Sequence, residues 1–164
     1  MRRRASLVTP LGTMTLTADA TGLSSLTFPK TSRLDPPAPA VAALADPLLH
    51  TAAQQILAYL DGHLHHFALP LSLHGTPFQL QVWQQLCTIP YGRTWSYSEL
   101  AAHLGDRNKA RAVGGAARAN PLALIVPCHR LIGADGSLTG FGGGLRLKQI
   151  LLALERSSMV QKGK

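Results

Sequence analysis

Hydrophobic and polar residues alternate near the start of the chain. Met14, Leu16 and Ala18 are separated by threonines, and Thr21-Gly22 supplies turn residues before a second apolar stretch, residues 23–28. An alternation with a period of two is typical of a half-buried strand. The two stretches and the turn between them therefore predict a β-hairpin.

The apolar pattern then changes to the period of a helix. Hydrophobic residues recur every three or four positions from Leu48 to Leu60, which predicts an amphipathic helix ending near Gly62. A stiff, proline-rich connector is predicted at 35–39, and the alternation over 67–73 predicts a short edge strand. Residues 1–75 are thus expected to form a small N-terminal α/β domain with a β-hairpin or sheet and a helix.

Helix signals dominate the second half, residues 76–164. Thr76-Pro77-Phe78-Gln79 and Ser96-Tyr97-Ser98-Glu99 are capping boxes that start two helices, and a third helix is predicted from about 108 to 119. Gly105 suits the tight turn between the second and third helices, a combination that predicts a helix-turn-helix. The fold class expected is α/β (α+β), with a mostly helical C-terminal domain that contains a winged helix-turn-helix.

The third of these helices has an unusual surface. One face of its helical wheel carries two arginines and two adjacent glycines: Arg111, Gly114, Gly115 and Arg118. Each glycine costs a helix about 1 kcal/mol relative to alanine, so the bare face indicates close approach of another backbone or a nucleic-acid strand. Arg107 and Lys109 crowd the helix N-terminus, where cations are unfavourable unless an anion such as phosphate binds. The alternative is a small-residue helix packed inside the protein.

Charge and composition narrow the classes of protein. Eleven of the 16 Lys and Arg residues and four of the 8 Asp and Glu residues lie in 76–164, so this half carries +7 of the formal charge of +8. Such asymmetry indicates a polyanionic partner, with surface solubility as the alternative. A hydrophobic content of 46% excludes a disordered chain. No apolar run is long enough for a membrane helix.

The strongest candidate for chemistry is a cysteine at the end of an apolar run. Residues 122–126 are expected to form a buried strand or extended segment, and Pro127-Cys128-His129-Arg130 follows. The neighbouring imidazole and guanidinium are expected to favour the thiolate. An inert, packed cysteine is the alternative interpretation.

A second oddity concerns the last helix, for which the core face is predicted to comprise Leu147, Ile150, Leu151 and Leu154. Glu155 is expected near its C-terminal end, where a carboxylate is disfavoured. A chain from Glu155 through His129 to Cys128 would deliver an activated nucleophile. Alternatively, Glu155 pairs with Arg146 or Arg156.

The remaining cysteine and a histidine cluster carry less information. Cys87 is expected to be a packed thiol. Two cysteines cannot make a disulfide framework, and without an apolar stretch behind the basic N-terminus a secretory signal is not expected, so a cytoplasmic location is predicted. His63, His65 and His66 suggest either a metal site or a solvated loop, and the loop is favoured because ligand spacing is lacking.

The motifs of the second half resemble one known family. In order, they are Ser96-Tyr97-Ser98-Glu99-Leu100-Ala101, Arg111-Ala112-Val113-Gly114-Gly115-Ala116, Asn120-Pro121 and Ile125-Val126-Pro127-Cys128-His129-Arg130. Their order and spacing closely resemble the O6-alkylguanine-DNA alkyltransferase family (methylated-DNA–protein-cysteine methyltransferases). The resemblance runs from about residue 75 to residue 155, and the first half matches only in outline.

The resemblance implies direct reversal of O6-alkylguanine in double-stranded DNA, with O4-alkylthymine as a second candidate lesion. After the damaged base is flipped, Cys128 would take the alkyl group irreversibly and once per chain. His129 would act as the base, linked to Glu155 through a water. Asn120 would brace the turn that holds the cysteine, and Tyr97 would hydrogen-bond the base and assist the leaving guanine.

The same resemblance assigns the DNA-binding and pocket residues. Arg111 would fill the vacated base stack, and the other DNA contacts would involve Arg107, Lys109, Gly114, Gly115 and Arg118. Tyr97, Leu131, Phe141 and Gly142 would line the substrate pocket. Phe141-Gly142 stands where many relatives have Tyr-Ser, so the pocket loses two hydroxyls. The expectation is a monomeric, stand-alone repair protein without zinc, other metals, a cofactor or a membrane partner.

Three other functions remain as alternatives. An alkyltransferase-like lesion sensor lacks the acceptor thiol that Cys128 would supply. A helix-turn-helix transcription factor would bind specific sequences and have an inert cysteine. A cysteine hydrolase requires an oxyanion hole and turnover, and the sequence shows no sign of either.

Overall fold

The computed structural model describes residues 1–28 and 39–162, which form two compact units, Met1–Leu73 and His74–Lys164. The connector predicted at 35–39 lies outside the described residues except for its last position. In the described part of the chain, no helix has both the length and the apolar character needed to cross a bilayer.

The first unit contains a three-stranded antiparallel sheet. Its strands are β1 (Arg3–Thr9), β2 (Gly12–Ala18) and β3 (Leu23–Thr27), in that order. The predicted hairpin corresponds to β2 and β3 and is confirmed, and alternation along β2 buries Met14, Leu16 and Ala18. The sequence pattern did not reveal β1, whose first residues are arginines.

A helix, α1 (Pro47–Leu60), packs on this sheet. It begins where the Asp46 side chain accepts a hydrogen bond from the Leu49 amide at 3.1 Å. Arg3 ties the sheet to this cap, because its Nη1 lies 2.8 Å from Asp46 Oδ2 and its Nη2 donates to the Asp19 carbonyl. Arg3 therefore has a structural role in the first unit.

The edge strand predicted over 67–73 is wrong. In that segment the structure has an isolated bridge, between Leu71 and Leu23. Pro70 has no amide hydrogen to donate, and its carbonyl accepts from the Leu23 amide at 2.8 Å. The segment therefore contacts the sheet without extending it as a regular strand.

The second unit begins with the predicted helices. They are α2 (Pro77–Leu86), α3 (Tyr97–His103) and α4 (Ala110–Arg118), with a 3₁₀ turn, Arg107–Lys109, ahead of α4. Both capping boxes are confirmed, at Thr76 and Ser96. The three helices pack together, and the Trp83 indole on α2 donates to the Ala116 carbonyl of α4 at 2.9 Å. This bond anchors α4 from its buried side.

The apolar run 122–126 is buried but forms a tight turn, so the predicted strand or extended segment is wrong. The Val126 amide donates to the Leu122 carbonyl, and Leu124 has a positive φ of 78°. Asn120 satisfies two backbone groups of the turn, accepting from the Leu122 amide and donating to the Val126 carbonyl, both at 2.9 Å. The polar side chain thus replaces the pairing that a strand would have needed.

Another 3₁₀ turn, Cys128–Arg130, leads into β5 (Leu131–Ile132), which pairs in parallel with β4 (Trp95–Ser96). The last helix, α5 (Leu145–Lys162), continues well beyond Glu155, so the expectation that Glu155 ends the helix is wrong. The predicted core face is also shifted, since Ile150 is 39% exposed. The buried residues of α5 are Lys148, Leu151, Leu152, Glu155 and Ser158.

Candidate active site

Glu155 is the hub of a buried polar network in the second unit. Its carboxylate accepts hydrogen bonds from His129 Nε2 at 3.0 Å, from Arg130 Nη2 at 2.7 Å and from the Gly92 amide at 3.3 Å. Arg130 Nε donates to both carboxylate oxygens at 3.1 Å. Burial alone would raise the pKa of Glu155, but the bonds from His129 and Arg130 outweigh it and lower the pKa to about 2. Glu155 is therefore a carboxylate throughout the physiological range.

The hydrogen-bond partners of Glu155 decide two expectations drawn from the sequence. Pairing with Arg146 or Arg156 is not what holds the carboxylate, because His129 and Arg130 do so. The expectation that a water links His129 to Glu155 is wrong, since the two side chains form a direct hydrogen bond.

His129 is fully buried and edge-on to the Phe141 ring, with 6.4 Å between ring centroids. Burial lowers the pKa of His129, and its bonds to Glu155 only partly oppose that shift. A neutral imidazole that donates from Nε2 to a carboxylate keeps its lone pair on Nδ1. His129 is therefore poised to accept a proton.

Cys128 precedes His129 in the same 3₁₀ turn and is buried. Burial raises the pKa of the Cys128 thiol, while a hydrogen bond with Asn120 and the charge of Lys148 act in the opposite direction. The expectation that His129 and Arg130 favour the thiolate is wrong, because His129 is neutral and Arg130 points its charge at Glu155. At neutral pH the resting cysteine is a thiol that needs a base.

The second cysteine lies in a different setting. Cys87 is the C-terminal cap of α2 and is exposed, so the expectation of a packed thiol is wrong. Its position beyond the last turn of the helix takes it off the buried face.

Lys148 was not identified from the sequence, and it is a fully buried cation on α5. Its ammonium group donates to the Leu131 carbonyl and, at 2.9 Å, to the Thr139 carbonyl. Burial lowers the pKa of Lys148, and the neighbouring Cys128 opposes that shift. A lysine in a helix is ordinarily expected at the protein surface, so the burial of Lys148 could be learned only from the tertiary structure.

Tyr97 forms part of a cavity of about 470 Å³ on the outer side of α4. The described residues that line it are Tyr97, Ala110, Arg111, Gly114, Arg118, Thr139 and Gly140. The other residues expected in a pocket lie elsewhere: Leu131 is fully buried, Phe141 packs against His129 and Gly142 is exposed on the loop before α5.

The exposed face of α4 has the composition expected from the sequence. Arg111, Gly115 and Arg118 are exposed, while Val113, Ala116 and Ala117 are buried on the opposite side. A Cβ added to Gly115 would meet no described atom within 4 Å, and one on Gly114 would touch only the Tyr97 ring at 3.7 Å. The packing of the described chain therefore does not require glycine at either position. Arg107 and Lys109 are also exposed, just ahead of the helix.

The histidine cluster of the first unit gives no sign of a metal centre. Among residues 1–28 and 39–162, the structure brings together no group of three His, Cys, Asp or Glu side chains able to hold an ion. Sequence reasoning did not identify Thr139 or Lys148, which the structure places beside Tyr97 and Cys128. Neither residue stands in one of the motifs quoted above, so no sequence signal pointed to them.

Comparison with known proteins extends over both units. Residues 3–73 match the family described as 6-O-methylguanine DNA methyltransferase, ribonuclease-like domain, and residues 77–157 match its DNA binding domain. The methylated-DNA–protein-cysteine methyltransferase of Methanosarcina barkeri is 43% identical over 151 residues, which are 92% of this chain and 94% of that protein. The protein of the same name from Mycolicibacterium paratuberculosis is 56% identical over 105 residues, 64% of each chain.

Solved structures agree with these matches. The crystal structure of Mycobacterium tuberculosis OGT in complex with DNA is 44% identical, with a TM-score of 0.83 over 95% of this chain and 94% of that one. The M. tuberculosis O6-methylguanine methyltransferase structure gives a TM-score of 0.84 at 42% identity, over 96% of this chain and 94% of that one. Because the matches span both units at this level of identity, the chain belongs to the 6-O-methylguanine DNA methyltransferase family.

Proposed function

We propose that this protein is a methylated-DNA–protein-cysteine methyltransferase that repairs O6-alkylguanine in double-stranded DNA by moving the alkyl group to Cys128. The observation that carries the proposal is the buried turn in which the Cys128 thiol precedes a neutral histidine held by a carboxylate. The names of the relatives and the family of both units support the same activity.

The chemistry follows from the protonation states of three side chains. Cys128 begins as a thiol, and neutral His129 accepts its proton while Glu155 stabilises the imidazolium that forms. The sulfur then bonds to the alkyl carbon as the carbon–O6 bond breaks, and the electron pair of that bond stays with the base. The guanine that leaves takes up one proton and His129 gives up the one it received, so that overall a single proton passes from the thiol to the base. The product is a thioether, so each chain acts once without a cofactor.

Asn120 and Tyr97 assist the transfer, Asn120 at the thiol and Tyr97 at the base. Asn120 holds the turn before Cys128 through two backbone bonds, and its hydrogen bond with the thiol helps to offset the cost of ionising a buried sulfur. Tyr97, on the wall of the cavity beside α4, hydrogen-bonds the flipped base and favours its departure.

The bare basic face of α4 is the proposed contact with the duplex. Gly114 and Gly115 let a strand approach the helix backbone, and Arg118, with Arg107 and Lys109 at the N-terminal end, binds phosphates. Arg111 enters the base stack and replaces the flipped nucleotide, which offsets the few kcal/mol that flipping costs. The crystal structure of the related M. tuberculosis protein with DNA supports this partner.

Several finer predictions of the sequence belong to the same proposal. They are a C-terminal domain over 76–164 that holds all of these residues, a winged form of the helix-turn-helix, a monomeric state and a cytoplasmic location. Leu131, Phe141 and Gly142 remain candidates for contact with the base through their backbone or through the loop that carries them.

Mass spectrometry of the intact protein tests the function. After incubation with duplex DNA that contains O6-methylguanine, we expect each chain to gain the mass of a single CH₂ unit, mapped to Cys128. Cys128→Ala should gain nothing, whereas the matched variant Cys87→Ala should react fully because its cysteine lies outside the network. Binding of the duplex without any adduct would instead indicate a lesion sensor, and repeated turnover would indicate a hydrolase.

A further inference from the structure

Thr139 forms hydrogen bonds both with Tyr97, on the wall of the cavity, and with the buried Lys148. Its side-chain hydroxyl donates to the Tyr97 hydroxyl at 3.0 Å, and its backbone carbonyl accepts from the same Tyr97 hydroxyl at 3.0 Å. The carbonyl also accepts from the Lys148 ammonium at 2.9 Å. Thr139 itself is exposed on the loop that precedes α5 and lines the cavity together with Tyr97.

The Tyr97 hydroxyl has a single proton, and the Thr139 carbonyl holds it in this structure. Tyr97 can donate to a base in the cavity only after it releases that carbonyl. Because Lys148 donates to the same carbonyl, the oxygen keeps a strong, charged partner when Tyr97 leaves. The exchange therefore breaks one hydrogen bond and makes one, without leaving the carbonyl unpaired.

The Thr139 hydroxyl has a second effect on Tyr97. A hydroxyl that accepts one hydrogen bond while it donates another is polarised and becomes a stronger donor. The bond from Thr139 also fixes the direction of the phenol ring, which otherwise borders open cavity space. Both effects act on whatever group Tyr97 donates to.

We propose that Thr139 is a positioning residue for alkyl transfer, which aims the Tyr97 hydroxyl at the leaving base and strengthens its hydrogen bond. Until the base binds, the Tyr97 hydroxyl donates to the Thr139 carbonyl, which also accepts a hydrogen bond from Lys148. The proposal rests on the proposed function, because it concerns the same transfer step.

A double-mutant cycle tests this role in single-turnover transfer from duplex DNA containing O6-methylguanine. Thr139→Val removes the hydroxyl and keeps the branched shape, and we expect transfer to slow by roughly three- to tenfold. Thr139→Ser restores the hydroxyl and should transfer within about twofold of the unmodified chain. In the Tyr97→Phe background, Thr139→Val should cause no further slowing, because the group through which it acts is gone.

Controls separate this role from a structural one. Thr88→Val removes another exposed threonine hydroxyl, one that donates to the Gln85 carbonyl away from the cavity, and should leave the rate unchanged. The melting temperature should match across the Thr139 variants, since the residue is exposed, and transfer rates are compared at saturating duplex DNA. Equal slowing by Thr139→Val with and without the Tyr97 hydroxyl, or a serine variant as slow as valine, would overturn the proposal. If the unmodified chain acquires no alkyl group, the proposed function itself fails and this role fails with it.

Discussion

Replacing Glu155 by glutamine removes the charge at the centre of the buried network while keeping the shape of the side chain. Arg130 would then be a buried guanidinium without a balancing negative charge, although it keeps its bond of 2.7 Å to the Ile89 carbonyl and its position over the Tyr91 ring. His129 would keep an amide oxygen as acceptor, but the imidazolium formed in the reaction would lose its stabilising anion. Both stability and transfer should therefore fall.

The structure supplies the size of the stability effect. The pKa of Glu155 falls from an ordinary 4.5 to about 2 on folding, which at about 1.4 kcal/mol per pKa unit corresponds to roughly 3 kcal/mol. Removing one partner of a buried ion pair costs about 3–5 kcal/mol, in agreement with that value. Since domains are stable by only about 5–15 kcal/mol, Glu155→Gln should remain folded at neutral pH with much less reserve.

The pH dependence gives the effect a distinctive sign. Because folding lowers the pKa, the contribution of Glu155 is fully present above about pH 4.5 and is lost as the pH falls towards 2. The unmodified protein should therefore lose stability in this range more steeply than Glu155→Gln does. The difference between the two proteins isolates this carboxylate from the others.

Urea unfolding followed by tryptophan fluorescence is a suitable assay, because both tryptophans, Trp83 and Trp95, lie in the second unit. Glu99→Gln is the matched control, because Glu99 is exposed and lies at a capping-box position where either glutamate or glutamine can form the cap. The free energy of unfolding of this variant should change by less than about 0.5 kcal/mol. Equal stability of Glu155→Gln and the unmodified protein at pH 7, with the same acid sensitivity, would refute the reasoning.

Three further changes test other parts of the site. Gly115→Ala should stabilise α4 by up to about 1 kcal/mol in urea unfolding and yet weaken duplex binding in a titration, because the added methyl group points into open space; unchanged affinity would exclude close approach of DNA there. Arg111→Ala should slow transfer from duplex DNA more than transfer from free O6-methylguanine base, and equal slowing would remove Arg111 from the base stack. In Cys87→Ala, iodoacetamide should alkylate Cys128 faster as the pH rises, and the midpoint of this rise should lie at a higher pH than in the unfolded chain, since burial raises the pKa of the thiol. A midpoint at a lower pH than in the unfolded chain would contradict the buried thiol.

The elements that sequence patterns predicted well are those with strong local signals. Both capping boxes and the amphipathic face of α1 depend on residues three or four positions apart, so their structure follows from local contacts. The run 122–126 shows the limit of such reasoning. Apolar residues predict burial there correctly, but the choice of a turn over a strand depends on the Asn120 side chain bonding to that backbone.

The candidate site divides in the same way. Cys128 and His129 were identified because they are neighbours in a distinctive motif, and Arg111 because it shares a helix face with two glycines. Thr139 and Lys148 come from segments that look like an ordinary loop and an ordinary helix surface. The hydrogen bonds that join Thr139 to Tyr97 and to Lys148 exist only because the loop before α5 lies beside α3.

The sequence by itself determined the chemistry available to this protein: a cysteine beside a histidine, and a basic helix face stripped of side chains. Only the tertiary structure decided the ionisation state of each group. Burial makes His129 neutral and Cys128 a thiol, whereas the hydrogen bonds from His129 and Arg130 outweigh burial and make Glu155 a carboxylate. The physical reason is that a pKa depends on the solvent, charges and hydrogen bonds around a group, and here His129 and Arg130 lie 25 or more residues from Glu155 in the chain.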